Sequence, residues 1–302
     1  MSKDRWTAEQ VPGMEGKTVI ITGCSSGIGF EAAKVLAGRG ARVVMANRNM
    51  EKSEAAADAI RKEHPSAQLE TGRLDLADLS SVRMFAQTFM DSGKSLDILV
   101  NNAGVMVPPY GKTKDGFELQ MGTNHLGHFA LTALLWPVLK GTEGSRVINV
   151  SSNAHQRGNP DLEDLHWEKR KYSRFSAYGD SKIANLLFTY ELLRRTGGEG
   201  PLVLASHPGF TATELMRHSG PKSVADMIAG LFGMPQWQGA LPTLRACVDP
   251  EAEQGDYYGP HAMMGWRGYP VKVASNPLSH DEKLAKGLWE RSEKWTGVSF
   301  SV

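Results

Sequence analysis

Short runs of consecutive apolar residues recur along the chain, separated by longer stretches in which apolar positions return every three or four residues. The runs cover residues 18–22, 42–46, 68–74, 98–100, 146–150 and 202–206. In most of them adjacent positions are apolar rather than alternate ones, as in strands covered on both faces. Ile28, Ala32, Val35 and Leu36 fall at helical spacing, and so do Ile183, Leu186, Leu187, Tyr190 and Leu193. Strand alternating with amphipathic helix predicts an α/β fold built on a parallel, doubly wound sheet. A long helical segment is expected over 115–140 and another helix from about Ser176. The tail, 255–302, reads as a short strand, a loop and a helix over 281–295. The GGEGP stretch at 197–201 is a turn, and no linker or repeat divides the chain, so one domain is expected over 1–302, with 1–15 a polar extension.

Charge and cysteine content narrow the partners. Lys+Arg 34 against Asp+Glu 33 leaves a net charge of +1, which offers a polyanion no broad surface, so neither nucleic acid nor an anionic membrane is expected. Cys24 and Cys247 are too few for a disulfide framework or a cysteine zinc site, in keeping with a reducing compartment. The amino terminus, MSKDRWTAEQVPGMEGK, lacks the apolar stretch of a signal peptide. No run of about 18 apolar residues would form an integral membrane segment. A cytoplasmic location is the expectation, with 227–237 the stretch apolar enough for peripheral membrane contact.

TVIITGCSSGIG sets Gly23, Gly27 and Gly29, with Ser25, Ser26 and Ile28 between them, where the first strand meets the first helix. Missing side chains let the backbone approach a pyrophosphate, whose charge the helix N-terminus attracts. The spacing is G-x-x-x-G-x-G, distinct from the commoner dinucleotide fingerprint. The second run leads into Asn47 and Arg48. An acidic residue there would bond a ribose 2′-hydroxyl, whereas an arginine pairs with a 2′-phosphate. NADP(H) is therefore favoured, with NAD(H) the alternative, although an arginine at a strand end is also a common solvated residue.

Tyr178 and Lys182 stand four apart, on one face of a helix. A tyrosine with pKa about 10 shuttles protons poorly near neutrality, and lowering it three units takes about 4 kcal/mol, the size of term a cation about 4 Å away supplies at an effective dielectric of about 20. Ser152 follows the fifth run, where a parallel sheet presents its ligand crevice. Ser151 beside it suits a turn or helix cap. Asn101, Asn102, Ala103 and Gly104 end the fourth run and suit a mixture of structural and cofactor duty. Asn124, within the long helical segment, would hold a water relaying a proton to Lys182. His125 and His128 are three apart without a third ligand nearby, so no metal site is expected.

As an ordered set, TGCSSGIG, Asp75, the NNAG at Asn101, Asn124, Ser152, Tyr178 with Lys182, and His207-Pro208-Gly209 resemble the short-chain dehydrogenase/reductase family over about 16–260. NVSSNAHQRG, SHPGFTATEL and the ending with GWRGYPV and LWERSEKWTG are similar to its retinol-dehydrogenase-like branch. The resemblance implies a single-domain Rossmann-type sheet of about seven strands. It implies Tyr178 as general acid/base, Lys182 lowering its pKa and holding the nicotinamide ribose, Ser152 orienting substrate and Asn124 in the proton relay. It places Asp75 and Leu76 near the adenine, Asn102, Ala103 and Gly104 along the cofactor, and Pro208, Gly209, Thr211 and Thr213 beside the nicotinamide.

Two departures stand out. Asp180 replaces a small residue of the family's tyrosine motif, and two residues along a helix it faces away from Tyr178. Ser152 and Tyr178 are also unusually far apart. The insertion within 153–177, centred on 159–173 with Trp167 and Tyr172, is expected as a surface excursion near the pocket rim.

The reading is an NADP(H)-dependent oxidoreductase acting on a hydrophobic aldehyde, ketone, retinoid or steroid-like alcohol. Its pocket is expected in the variable region 210–250, with Leu215, Met216, Met227, Ile228, Leu231, Phe232 and Met234 either lining it or packing a core. The family permits homo-oligomers as well as monomers. A nucleotide-sugar epimerase or dehydratase on the same fold, and an NADP-binding sensor without turnover, are the alternatives.

Overall fold

The computed structural model describes residues 5–211 and 233–301. The first strand, β1 (Thr18–Thr22), leads into α1 (Gly27–Gly38), followed by β2 (Arg42–Asn47), α2 (Met50–Glu63), β3 (Gln68–Arg73), α3 (Leu79–Asp91) and β4 (Ile98–Asn101). After a loop come the single turn α4 (Leu119–Met121), α5 (Gly127–Lys140), β5 (Arg146–Val150), α6 (Arg174–Thr196) and β6 (Leu202–Ser206). The described chain ends with α7 (Gln236–Val248), β7 (Tyr257–Ala262), β8 (Arg267–Lys272) and α8 (Glu282–Thr296).

The sheet runs β3-β2-β1-β4-β5-β6-β7-β8. The first seven strands are parallel, as expected, and β8 returns antiparallel along β7, with Tyr258 opposite Lys272. Strand order reverses between β1 and β4, whose carboxyl ends flank the crevice where such sheets bind ligands. Both sheet faces are covered, which explains the unbroken apolar runs. Val19 and Ile21 of β1 pack with Ala32, Leu36 and Ile60 of α1 and α2 and with Leu244 of α7. Ile20 points the other way, into a core with Phe85, Phe129, Phe188 and Trp289 from α3, α5, α6 and α8. Each fully buried aliphatic of this kind contributes about 1.5–3 kcal/mol.

Local signals set the helix ends. Ser173 caps α6 by accepting from Ser176 N–H, and Gly197, at φ 62°, ends it in a left-handed residue. The expected helix over 115–140 is broken up. Residues 113–118 form a turn, and Gly122–Leu126 adopt the wider π register between α4 and α5. Glu118 caps α4 with a buried carboxylate that also accepts from the Tyr172 hydroxyl at 2.9 Å.

The insertion is packed rather than a loose excursion. Asp164 accepts from the backbone N–H groups of Glu168, Lys169 and Arg170, Leu165 and Trp167 are buried, and the Arg170 guanidinium lies 3.7 Å from the Trp167 ring centre. Asp180 does turn away from Tyr178, and it holds this insertion in place. Buried in α6, it accepts from Asn159 N–H at 2.8 Å and pairs with Arg170 at 3.2 Å.

Candidate active site

The glycine turn sits at the carboxyl end of β1. A Cβ at Gly29 would lie 2.5 Å from Asn102 Nδ2 and 2.7 Å from Gly23 O, and one at Gly23 would lie 2.7 Å from Ala103 Cβ. The turn therefore closes on the loop after β4 with no room for side chains. The Asn102 amide fastens it by donating to Thr22 O at 2.7 Å and to Gly23 O at 3.2 Å. Ser26, the residue before α1, makes no capping bond with its side chain, so the first N–H groups of the helix have no side-chain partner there. An uncapped helix start behind glycines fits a dinucleotide phosphate.

Asn47 is buried and points into this turn. It accepts from Ser25 N–H at 3.1 Å and donates to Ser53 Oγ at 2.8 Å. Arg48, next in the chain, is exposed at the crevice edge. Arg73, which the sequence reading passed over, ends β3 directly opposite Asn47 in the sheet register and is also exposed. That register sets Arg73 beside the end of β2, which Arg48 follows. Asp75 caps the turn after β3 by accepting from Ala77 N–H, and a Cβ at Gly127 would come 2.5 Å from Leu76 O, so Leu76 packs on α5.

Tyr178 lies in the second turn of α6 with Lys182 one turn on, its ammonium 5.8 Å from the Tyr178 ring centre and donating to Val150 O at 3.1 Å. Burial pulls the Lys182 ammonium down to about 8. The phenol departs from the expected direction. Burial pushes Tyr178 up to about 12, and the hydrogen bond with the Ser152 hydroxyl offsets only part of that. Among the protein's own groups desolvation outweighs the cation, because the ammonium faces the Val150 carbonyl rather than the phenol oxygen.

Ser152 is the cap of the 3-10 turn Asn153–Arg157, its Oγ accepting from Ala154 N–H at 3.1 Å. Ser151, expected in that part, instead donates to Lys182 O at 2.8 Å and ties β5 to α6. His155 escaped the sequence reading. Its Nδ1 donates to Ser152 O at 2.6 Å and its Nε2 accepts from Asn276 N–H at 3.2 Å, fixing the ring and the serine loop together.

Asn124 stands in the π segment, a register frequent at functional sites. Its amide accepts from Val105 N–H at 2.8 Å and donates to Val105 O at 3.0 Å and Ser181 Oγ at 2.9 Å. A Cβ at Gly104 would lie 3.0 Å from Asn124 Oδ1 and 3.5 Å from Lys182 Nζ, so Asn124, Gly104 and Lys182 meet in one place. Asn101 is not part of it. That amide donates to Thr132 and Asn149 inside the core.

His125 and His128 are buried. His128 bridges the site, its Nδ1 bonded to Asn124 O and its Nε2 to Thr22 Oγ, each at 2.9 Å. Burial lowers the two rings to about 3 and about 4. Among the described residues no group of three or more His, Cys, Asp or Glu is placed to hold a metal. Cys24 is a buried thiol pushed up to about 12 by desolvation, which makes it unreactive.

Beyond β6, Pro208 and Gly209 lead to Thr211, which pairs in a short parallel bridge with Met234. A Cβ at Gly239 would collide with Thr211 and sit 3.2 Å from Ile28, so this loop meets the glycine turn. Met234 is buried and its sulfur accepts from Gly268 N–H, a packing role rather than a pocket lining. Thr213, Leu215, Met216, Met227, Ile228, Leu231 and Phe232 lie outside the described residues.

Comparison with known proteins matches this arrangement. A family model described as short chain dehydrogenase matches residues 17–223. Retinol dehydrogenase 13 of Mus musculus is 44% identical over 295 residues, covering 95% of this chain and 85% of its own. Retinol dehydrogenase 12 of Homo sapiens is 42% identical over 287 residues, covering 94% and 88%. A crystal structure of an uncharacterised protein from Mycobacterium paratuberculosis superposes with a TM-score of 0.82 at 43% identity, over 99% of this chain and all of that one. The chain belongs to the short-chain dehydrogenase family, in its retinol-dehydrogenase-like branch, and is an oxidoreductase acting on CH–OH and C=O groups.

Proposed function

We propose that the protein is an NADP(H)-dependent carbonyl reductase and alcohol dehydrogenase for an apolar substrate, with Tyr178 as the acid/base. The observation that carries this reading is the placement of Tyr178 on α6 with the buried Lys182 ammonium 5.8 Å from its ring centre, against the carboxyl end of β5, where that ammonium donates to Val150 O two residues before Ser152. When bound, the nicotinamide supplies or takes the hydride. The groups that would hold the cofactor are the glycine turn with Ser25, Ser26 and Ile28, the loop of Asn102 to Gly104, Asp75 and Leu76, and Pro208, Gly209 and Thr211. Thr213 is proposed with them on the sequence pattern alone.

Ser152 would donate to the substrate oxygen while Tyr178 hands that oxygen a proton. A phenol raised to about 12 is fully protonated at neutral pH, which suits the reductive direction. Lys182 keeps a positive charge next to the site and so favours phenolate once the proton leaves. Asn124 orients the Lys182 end of the path through Gly104. No covalent intermediate is required, so the rate rests on positioning and on prearranged donors.

Arg48 and Arg73 support the preference for NADP. Both are exposed at adjacent strand ends, with no ion-pair partner among the described residues, so a 2′-phosphate is the acceptor they lack. The epimerase and sensor alternatives gain no support from the relatives, which are retinol dehydrogenases by name. Among the described residues no helix is long and apolar enough to cross a membrane. The cytoplasmic location is also proposed and is tested by cell fractionation.

The test is NADPH oxidation with a panel of short and long aldehydes and ketones. Tyr178→Phe is expected to lower turnover roughly 10²–10⁴-fold. A variant as fast as the parent would refute the acid/base assignment.

A further inference from the structure

We propose that the turn joining β7 to β8, residues 263–266, forms a wall of the substrate crevice, with Met264 and Trp266 selecting for long apolar substrates. This rests on the hydride-transfer reading above and adds a specificity element outside the variable region 210–250. Because β7 runs parallel to β6, its carboxyl end and the turn beyond it lie on the same sheet edge as Ser152 and Gly209.

Two hydrogen bonds fix the turn to the loops that border the reacting groups. Asn153, next to Ser152, donates its amide to Gly265 O at 2.9 Å. Phe210, next to Gly209, donates its N–H to Trp266 O at 2.9 Å, and the Phe210 and Trp266 rings lie 5.4 Å apart. A Cβ at Gly209 would come 2.7 Å from Trp266 O, and one at Gly265 would lie 3.1 Å from His207 and 3.3 Å from Asn153 Oδ1. The turn thus touches the serine loop on one side and the loop after β6 on the other.

Its composition is what an apolar ligand needs and a solvated hairpin does not. Met263, Met264 and Gly265 all have positive φ, at 51°, 54° and 79°. Hairpins fill such positions with Asn, Asp or Gly, and methionine is disfavoured there. Met263, Met264 and Trp266 are nonetheless exposed, Met264 at 93%. The four turn residues carry no charge. Strained backbone that presents adaptable thioethers and a flat indole beside a catalytic loop is the pattern of a ligand contact. The chemistry it would accept is an elongated apolar chain or ring system ending in the carbonyl or alcohol, which Ser152 meets at the inner end.

The experiment uses Trp266→Ala and Met264→Ser in the full chain, the latter at a side chain so exposed that folding does not depend on it. The first readout is the ratio of kcat/KM for decanal to that for propanal with NADPH. The second is the Kd of all-trans-retinol for the NADPH-loaded protein, a pairing that cannot turn over. Each variant is expected to lower the ratio roughly tenfold, through KM rather than kcat, and to weaken retinol about as much. Equal losses on both aldehydes, or an unaltered retinol Kd, overturn the wall. A parent that reduces neither aldehyde sinks the hydride-transfer reading, and the retinol Kd then judges the wall by itself: weakened binding upholds it and unaltered binding overturns it.

Discussion

Acid should destabilise this fold through its buried histidines. His125, His128 and His207 are held by burial at about 3, about 4 and about 3, against an ordinary value of 6.5. With folded values below the unfolded one, the unfolded chain binds the extra protons, so stability is full above pH 6.5 and drains as the pH falls towards the folded values. Between pH 7 and 5 each ring costs about 2 kcal/mol, and the three together about 5–6 kcal/mol, comparable with the whole stability of many domains. Buried Glu118 and Asp180 act in the opposite sense, because burial raises their carboxyls and lets the folded chain take protons first. They temper the slope. Urea unfolding followed by tryptophan fluorescence at the two pH values reads the difference. His128→Leu starts less stable, since Thr22 Oγ and Asn124 O lose their bonds to the ring, but its drop from pH 7 to 5 should be smaller than the parent's by about 2 kcal/mol. A parent midpoint that does not move between pH 7 and 5, or a variant that drops as far as the parent, would refute the reasoning.

Three further outcomes are expected. Arg48→Ala together with Arg73→Ala should raise the KM for NADPH about ten- to hundredfold and leave that for NADH nearly constant, the size of losing charge-assisted bonds; equal effects on the two cofactors would remove both arginines from 2′-phosphate recognition. Carbonyl reduction should hold steady from pH 6 and decline as the pH rises through about 8, where Lys182 loses its charge while Tyr178 stays protonated; a profile flat to pH 10 would argue against the ammonium. Asp180→Ala should loosen the insertion, leaving Asn159 N–H unpaired and Arg170 with Asp164 alone, at a cost of about 2 kcal/mol in stability and with faster proteolysis within 159–173; unchanged cleavage in that segment would count against the anchor.

The parallel sheet was legible because most of its strands are apolar on successive residues, as strands covered on both faces are. The eighth strand was not. Gly268 and Pro270 interrupt it and most of its residues are half-exposed, so an edge strand looks like loop. The place of the glycine turn between β1 and α1, and of Tyr178 and Lys182 one turn apart on α6, was readable from spacing, while the roles proposed for them and for Ser152 rest on the family resemblance. What spacing does not carry is the partner. Asn47 looked like a neutral selectivity position and serves as a brace for the turn. Arg73 became visible only through its register with Asn47, and His155 through a contact with Asn276 far along the chain. The direction of the Tyr178 shift depended on how much water the fold removes, a quantity that two residues four apart do not encode.

One hydroxyl has a disproportionate consequence. Thr22 Oγ accepts from Asn102 N–H and Ala103 N–H, at 3.0 and 2.9 Å, and bonds His128 Nε2, so it stitches the tips of β1 and β4 to the helix behind them. A mouth sewn shut at its base in this way does not work as a jaw. On the side formed by β1 and β4, a bound dinucleotide would therefore meet the glycine turn and the loop after β4 as one unit, with no hinge between them.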